Sequence, residues 1–126
     1  MNRSGIALRI GAGMGALAIA LGAFGAHSWK PLLMSNGTTT IWEKAVFYHA
    51  IHAVMLFILG GSRPLRLAPW LGFLLGIWFF SGSLYVLAVT NAHWLGAITP
   101  IGGTCFMVGW IWLMVCPGKA SSAGQD

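Results

Sequence analysis

The chain has 126 residues, of which 57% are hydrophobic and only 7% are charged, whereas a soluble domain has roughly 25% charged residues. Its uncharged stretches run for about 18 residues or more, enough to cross a hydrocarbon layer about 30 Å thick, which excludes an ordinary soluble fold. The net charge of +5 comes from Lys and Arg residues scattered over chain ends and short connections, which favours a lipid bilayer over a nucleic acid as partner.

Four apolar segments, each near the roughly 20 residues that a membrane helix needs, predict four transmembrane helices. They cover residues 6–26, 42–60, 67–90 and 95–116. The short polar connections favour antiparallel neighbours. We therefore expect an all-α polytopic membrane protein, a compact antiparallel four-helix bundle formed by residues 1–117 as one domain. Residues 118–126 are predicted to be a disordered tail.

The first segment has small residues on one helical face, a pattern typical of close helix packing in membranes. A secretory signal peptide is the alternative, with Arg3, Arg9 and a cleavage site at Ala23-Phe24-Gly25, but the small-residue face favours a retained helix. The small residues here are Gly11, Gly15, Ala18, Gly22 and Gly25, and shorter stripes contain Gly72, Gly76, Gly102, Cys105 and Gly109.

The second segment is less apolar, because it carries Glu43, Lys44, His49 and His52. A re-entrant segment is the alternative to a full crossing. We expect a full crossing, because these polar groups gather toward one end and because aromatic residues beside them suit a membrane interface.

The distribution of basic residues predicts the orientation, since cytoplasmic loops carry an excess of Lys and Arg. Five such residues fall on one side of the predicted bundle and two on the other: Arg3, Arg9, Arg63, Arg66 and Lys119 against Lys30 and Lys44. We therefore expect both termini in the cytoplasm.

Tryptophans near span ends are typical of interfacial anchors, whereas deeper ones are typical of packing. The predicted anchors are Trp29, Trp42, Trp70, Trp94 and Trp112, and the predicted packing residues are Trp78 and Trp110.

Ionisable residues inside a membrane span are candidates for a functional site. His49 and His52 are three residues apart and so share one face of a helix, where both imidazoles can meet one partner. Metal binding, proton relay and haem ligation are possible roles of imidazole, but hydrogen bonding across the bundle is the favoured interpretation. The candidate polar cluster is His27, Tyr48, His49, His52 and Tyr85.

Several motifs in chain order resemble the domain-of-unknown-function family 423, which includes an animal protein called transmembrane protein 256. They are Gly22-Ala23-Phe24-Gly25-Ala26-His27, Tyr48-His49-Ala50, Phe80-Ser81-Gly82-Ser83-Leu84-Tyr85, Thr99-Pro100-Ile101-Gly102-Gly103 and Gly109-Trp110. The resemblance covers the chain from Gly11 to Trp112 and implies a small multi-pass protein of the bacterial inner membrane. It implies no reaction, substrate or cofactor.

Only two acidic residues are present and no nucleophile or phosphate-loop motif occurs, so we expect no enzyme, catalytic residue, metal site or cofactor. The leading hypothesis is a non-enzymatic accessory or scaffold protein, which packs with itself or a larger membrane complex through the glycine stripes. The alternative is a small oligomeric channel or transporter, with a polar path that includes His49, His52 and Tyr85.

Overall fold

The computed structural model describes residues 2–118, and the predicted tail therefore lies, except for Gly118, outside the described residues. Four helices are long and apolar enough to cross a membrane. They comprise Arg3–Ala26, Thr39–Gly60, Leu67–Thr90 and His93–Val115. The four-helix expectation is confirmed, and the predicted span ends differ from these bounds by three residues or fewer. No strand occurs within the described residues.

Within these spans, the regular helices are α1 (Arg3–Ala26), α2 (Lys30–Asn36), α3 (Thr39–Gly60), α4 (Leu67–Gly76), α5 (Gly82–Thr90) and α6 (Thr99–Val115). A π-helical turn, Ile77–Ser81, joins α4 to α5 into one continuous span, and a 3₁₀ turn, His93–Ala97, precedes α6. The sequence analysis predicted neither α2 nor the π-turn. Such turns are rare and mark places where a helix is locally widened.

Helix ends follow from residues that stop or start the hydrogen-bond ladder. Asn2 caps α1 by accepting a hydrogen bond from the Gly5 amide at 2.8 Å, as expected of an asparagine at this position. Gly37 and Asn91 end α2 and α5 in the left-handed region, at φ of 66° and 60°, which these two residue types tolerate best.

The central element is α3, which contacts α1, α2, α4, α5 and the π-turn. Helix α6 packs on α4 and on the π-turn, on the other side of the span formed by α4 and α5. The larger core cluster joins α1, α3, α4 and α6 around Leu56, Phe73 and Phe106. A smaller cluster around Leu33, Trp42 and Ala88 closes the end where α2 lies.

Glycines lie where two backbones come together. A Cβ atom on Gly11 of α1 would stand 2.5 Å from the Phe57 amide nitrogen of α3, and one on Gly60 would stand 2.7 Å from the Leu8 nitrogen. Each of these substitutions would push α1 and α3 apart. In contrast, Gly15 has no atom within 4 Å of its Cβ position, so it makes no helix contact within the described chain, and its expected part in packing stays a prediction. It lies about 40° around the helix from Gly11, toward the edge of the contact.

The remaining predicted stripe glycines touch their neighbours to different degrees. The Gly22 position meets Val46 at 3.4 Å, and the Gly72 position meets the Cys105 carbonyl at 3.2 Å. The Gly76 and Gly109 positions are filled by the rings of Phe106 and Phe73 respectively, and the Gly102 position lies against the backbone of the π-turn at Phe79 and Phe80. These glycines are therefore used inside the bundle.

Two tryptophans were predicted as interfacial anchors but lie in the core. Trp42 is 2% exposed and Trp70 is 5% exposed, and their indole nitrogens donate to the carbonyls of Leu21 and Leu56 at 2.9 and 3.1 Å. Conversely, Trp78 was predicted to pack inside the bundle and is 65% exposed. Depth along a span, which the sequence gives, does not decide the direction in which a side chain points.

Candidate functional site

The polar centre of the bundle is built on α3, which carries both intramembrane histidines. His49 is 1% exposed, and its Nδ1 atom lies 2.8 Å from the hydroxyl oxygen of Tyr85 on α5. The phenol has a single proton, and Nδ1 is its hydrogen-bond partner in the described chain. The arrangement that satisfies this proton has Tyr85 donating to Nδ1, which leaves the proton of the neutral imidazole on Nε2.

The Nε2 atom of His49 is buried and has no hydrogen-bond partner within residues 2–118. The ring lies beside the Met14 backbone of α1, without a hydrogen bond of normal geometry between the two. A cleft of about 110 Å³ adjoins the same ring and is lined mostly by apolar side chains of α1 and the π-turn, together with Tyr85. His49 is thus the member of the polar centre that has a buried nitrogen without a hydrogen-bond partner.

Both nitrogens of His52 are engaged. Its Nδ1 atom lies 2.7 Å from the Tyr48 carbonyl oxygen, and a carbonyl can only accept, so Nδ1 carries the proton. Its Nε2 atom therefore has a lone pair, which accepts the indole N–H of Trp110 on α6 at 3.0 Å. This pattern requires a neutral imidazole and leaves no free lone pair for a metal ion.

Aromatic packing fixes the plane of His52. Its ring stacks on Phe106 with centroids 3.6 Å apart and an interplanar angle of 11°. Phe106 in turn fills the space opposite Gly76, and Trp110 lies 5.0 Å from Phe73. The imidazole is consequently one layer of an aromatic stack between α3, α4 and α6.

The predicted polar cluster is only partly brought together. His49 and His52 do share the buried face of α3, but the expectation that they meet one partner is wrong, because His49 pairs with α5 and His52 with α6. Tyr48 packs against Phe80 with its ring, and its part in the His52 hydrogen bond is that of its backbone. His27 lies at the exposed C-terminal end of α1, away from the other members.

The partners of several cross-helix hydrogen bonds around this centre were not predicted from the sequence. Ser81, fully buried at the end of the π-turn, donates to the Ala45 carbonyl of α3 at 2.8 Å. Thr38 and Asn36 both bond the Ala88 carbonyl of α5, at 2.7 and 3.0 Å. A hydroxyl or amide within an apolar span indicates a hydrogen bond to some partner. The sequence alone does not identify which carbonyl on another helix accepts that hydrogen bond.

Chemically, this centre links helices. Its histidines, serine and tryptophans bond α3 to the third and fourth spans, and within residues 2–118 no three His, Cys, Asp or Glu side chains gather where they could hold a metal ion. Among the buried side-chain nitrogen and oxygen atoms of residues 2–118, Nε2 of His49 is the one without a hydrogen-bond partner.

Comparison with known proteins identifies a family model and membrane-protein relatives that are similar to this chain. A family model described as "Protein of unknown function (DUF423)" matches residues 21–103. A UPF0382 membrane protein of Staphylococcus haemolyticus is 45% identical over 108 residues, which covers 82% of this chain and 87% of the relative. The UPF0382 membrane protein YwdK of Bacillus subtilis is 43% identical over 110 residues, with 82% and 88% covered. No solved structure matches the chain significantly.

Proposed function

We propose that this chain, which belongs to the DUF423 family of proteins of unknown function, is a non-enzymatic accessory protein. We infer from its own geometry that it associates with a second copy of itself. The family match confirms the resemblance expected from the motifs. The relatives' names and the four apolar helices make the chain a multi-pass membrane protein. Its role within the membrane is the proposed part.

The observation that carries this proposal is the position of α1 in the bundle. Helix α1 packs on α3, with smaller contacts to α2, through one face only, which contains Ala7, Gly11, Ala18 and Gly25. The other face of α1 is left to the lipid or to another protein.

That opposite face consists largely of small, exposed residues: Ala12, Gly13, Ala16, Ala20 and Ala23. Spacings of three and four residues put them on one strip of the helix. Small residues let two helix backbones approach closely in a membrane, where dispersion contacts replace the missing hydrophobic effect. A second copy presents the same strip, so the face can pair with itself about a two-fold axis.

The proposed self-association uses the outward face of α1, whereas the sequence analysis expected the glycine stripes to mediate it. Of these stripes, Gly11, Gly76, Gly102 and Gly109 face neighbours inside the chain. The channel alternative has less support, because His49 and Tyr85 bond to each other and both nitrogens of His52 are engaged.

Cysteine cross-linking in native membranes tests the association. In a background in which Cys105 and Cys116 are replaced by Ser, Ala16→Cys should yield a cross-linked dimer. The matched control is Leu17→Cys, which is also exposed but points about 100° away around the same turn. Equal cross-linking of both variants would indicate random collision, and no dimer from Ala16→Cys would contradict the proposal.

We further propose that the membrane is the bacterial cytoplasmic membrane, with both termini in the cytoplasm. Arg3 and Arg66 lie at the same end of the bundle, where α1 begins and α6 ends, whereas Lys30 and Lys44 lie at the other. Cytoplasmic ends of membrane proteins are enriched in such cations. Reporter proteins fused after Trp112 and inserted between Ser62 and Arg66 should both show cytoplasmic activity, and a periplasmic signal at either point would overturn this orientation.

A further inference from the structure

The arginine-rich end of the bundle contains a cavity of about 590 Å³. It lies between the connection from α3 to α4 and the segment that follows α6. Its walls are formed by Ile58, Leu59, Ser62, Arg63, Pro64, Arg66, Pro117 and Gly118. Its lining therefore combines apolar side chains of α3 with two arginines of the connection that follows.

The charge at this end is uncompensated in the described chain. Arg63 and Arg66 line the cavity, and Arg3 and Arg9 lie nearby on α1. Glu43 is the one acidic residue among residues 2–118, and it belongs to the first turns of α3, at the opposite end of the bundle. Arg63 and Arg66 themselves favour an occupant that carries negative charge.

The position of Arg66 is held by several contacts. Its guanidinium donates to the Cys116 carbonyl, and its amide nitrogen lies 3.3 Å from the Ser62 hydroxyl oxygen, which itself donates to the Leu59 carbonyl at 2.6 Å. These contacts partly preorganise Arg66 at the cavity.

The apolar wall identifies the kind of anion. Leu59 is buried, whereas Ile58 is 57% exposed on the outer surface of α3, so the cavity borders a surface that meets lipid chains. An occupant that fits both parts has an anionic head and a hydrocarbon chain. Basic pockets at the cytoplasmic ends of membrane helices recognise lipid headgroups in this manner.

We propose that this cavity binds an anionic phospholipid of the adjacent leaflet, with its phosphate between Arg63 and Arg66 and an acyl chain along Ile58. Free phosphate satisfies the arginines alone and leaves the apolar wall unused. A headgroup held here also joins the connection after α3 to the end of α6, so a bound lipid stabilises this end of the bundle.

Native mass spectrometry with phosphatidylglycerol tests the proposal. The full chain is purified in a mild non-ionic detergent and titrated with phosphatidylglycerol, with phosphatidylcholine as the lipid control. The wild type should retain one phosphatidylglycerol in preference to phosphatidylcholine. Arg63→Gln and Arg66→Gln should each weaken that binding by about fivefold, the effect of one arginine near an anionic headgroup.

Arg3→Gln and Arg9→Gln are the matched controls, because they remove the same charge from the same end of the molecule without touching the cavity. Both should retain the lipid as the wild type does. Equal losses in all four variants would replace the site with diffuse surface attraction. Displacement of the lipid by inorganic phosphate at similar concentration would show that the acyl chain contributes nothing, and would also overturn the proposal.

Arg66→Gln can unfold the protein, since Arg66 bonds the Cys116 carbonyl. Arg63 is exposed, so Arg63→Gln should fold and therefore decides the outcome by itself. Unchanged phosphatidylglycerol binding by folded Arg63→Gln contradicts the proposal.

Discussion

On one side of α3, the contact with α1 is a close approach of two backbones, whereas on the other side hydrogen bonds tie α3 to its neighbours. Gly11 and Gly60 set the α1 contact, and within residues 2–118 one side-chain hydrogen bond crosses it, from Trp42 to the Leu21 carbonyl. The other side has the Ser81, His49–Tyr85, Trp70 and Trp110–His52 hydrogen bonds.

This difference shows two ways to hold a membrane helix when the hydrophobic effect does not act between helices. Dispersion contacts fall off steeply with distance, so the α1 contact depends on shape. Hydrogen bonds between helices contribute about 0.6 kcal/mol each on average, so the other side depends on the sum of several modest terms. A steric change should therefore damage the α1 side more than the loss of one hydrogen bond damages the other.

Gly11→Leu should have the largest effect. The new side chain would start within 2.5 Å of the Phe57 nitrogen, and since backbone cannot move aside locally, α1 must separate from α3. We expect a loss of about 3 kcal/mol or more, beyond the usual range for overpacked cores. Thermal denaturation of the detergent-purified protein, followed by the folded fraction in size-exclusion chromatography, measures it.

Gly15→Leu is the control for this prediction, because the same substitution one turn further along α1 meets open space. Its stability should stay within about 0.5 kcal/mol of the wild type. If Gly15→Leu lowers the stability as much as Gly11→Leu does, then the loss comes from placing Leu on α1 at all and not from the contact between α1 and α3.

Tyr85→Phe should have the next largest effect, now on the hydrogen-bonded side. It keeps the ring against Trp42 but removes the phenolic hydroxyl that bonds Nδ1 of His49. Nε2 of the same imidazole already has no hydrogen-bond partner within residues 2–118. A buried imidazole with neither nitrogen bonded should cost about 1–3 kcal/mol. The same thermal assay measures it.

The control is Tyr48→Phe, since the Tyr48 side chain is partly exposed and contacts its neighbours through its ring. Its effect should be under about 0.5 kcal/mol. Comparable losses from the two variants would show that the His49–Tyr85 hydrogen bond does not hold α3 to α5.

Hydropathy predicted the ends of the four spans to within three residues, because an apolar stretch of about 20 residues matches the hydrocarbon thickness and must form a helix to satisfy its own backbone there. The same reasoning found the intramembrane histidines and Tyr85. It did not find their partners, since Trp110 lies 58 residues beyond His52 in the chain, and such a pairing depends on the rotation of each helix about its axis.

Rotation also explains why Gly15 lies beside the contact with α3, and why Trp42 and Trp78 point in other directions than expected. A stripe with three- and four-residue steps is wide enough to include both residues that touch a neighbour and residues beside the contact. The π-turn adds a further source of error, because it changes the rotation of α5 relative to α4. The apolar segment predicted one transmembrane helix over residues 67–90 without this turn, which is why Ser81 could not be placed opposite Ala45.

Substitution of His52 should cause the smallest predicted loss of stability. His52 makes both a hydrogen bond, with Trp110, and a stacking contact, with Phe106, so its variants can separate the two. His52→Leu removes the acceptor of the Trp110 indole and also the ring that stacks on Phe106. We expect a loss of about 0.5–2 kcal/mol, typical of an interhelical hydrogen bond in a membrane. His52→Gln keeps a carbonyl acceptor and an amide donor, and His52→Phe keeps the stacked ring.

Thermal denaturation of the three variants then apportions the effect. If the hydrogen bond dominates, His52→Gln should be closer in stability to the wild type than His52→Phe is, because Phe leaves the indole N–H of Trp110 without an acceptor. The reverse order would mean that stacking on Phe106 holds α6, and that both sides of α3 depend on shape. Stoichiometric metal or haem in the purified wild type, lost in all three variants, would contradict the tautomer assigned here, because His52 would then need a lone pair that Trp110 occupies.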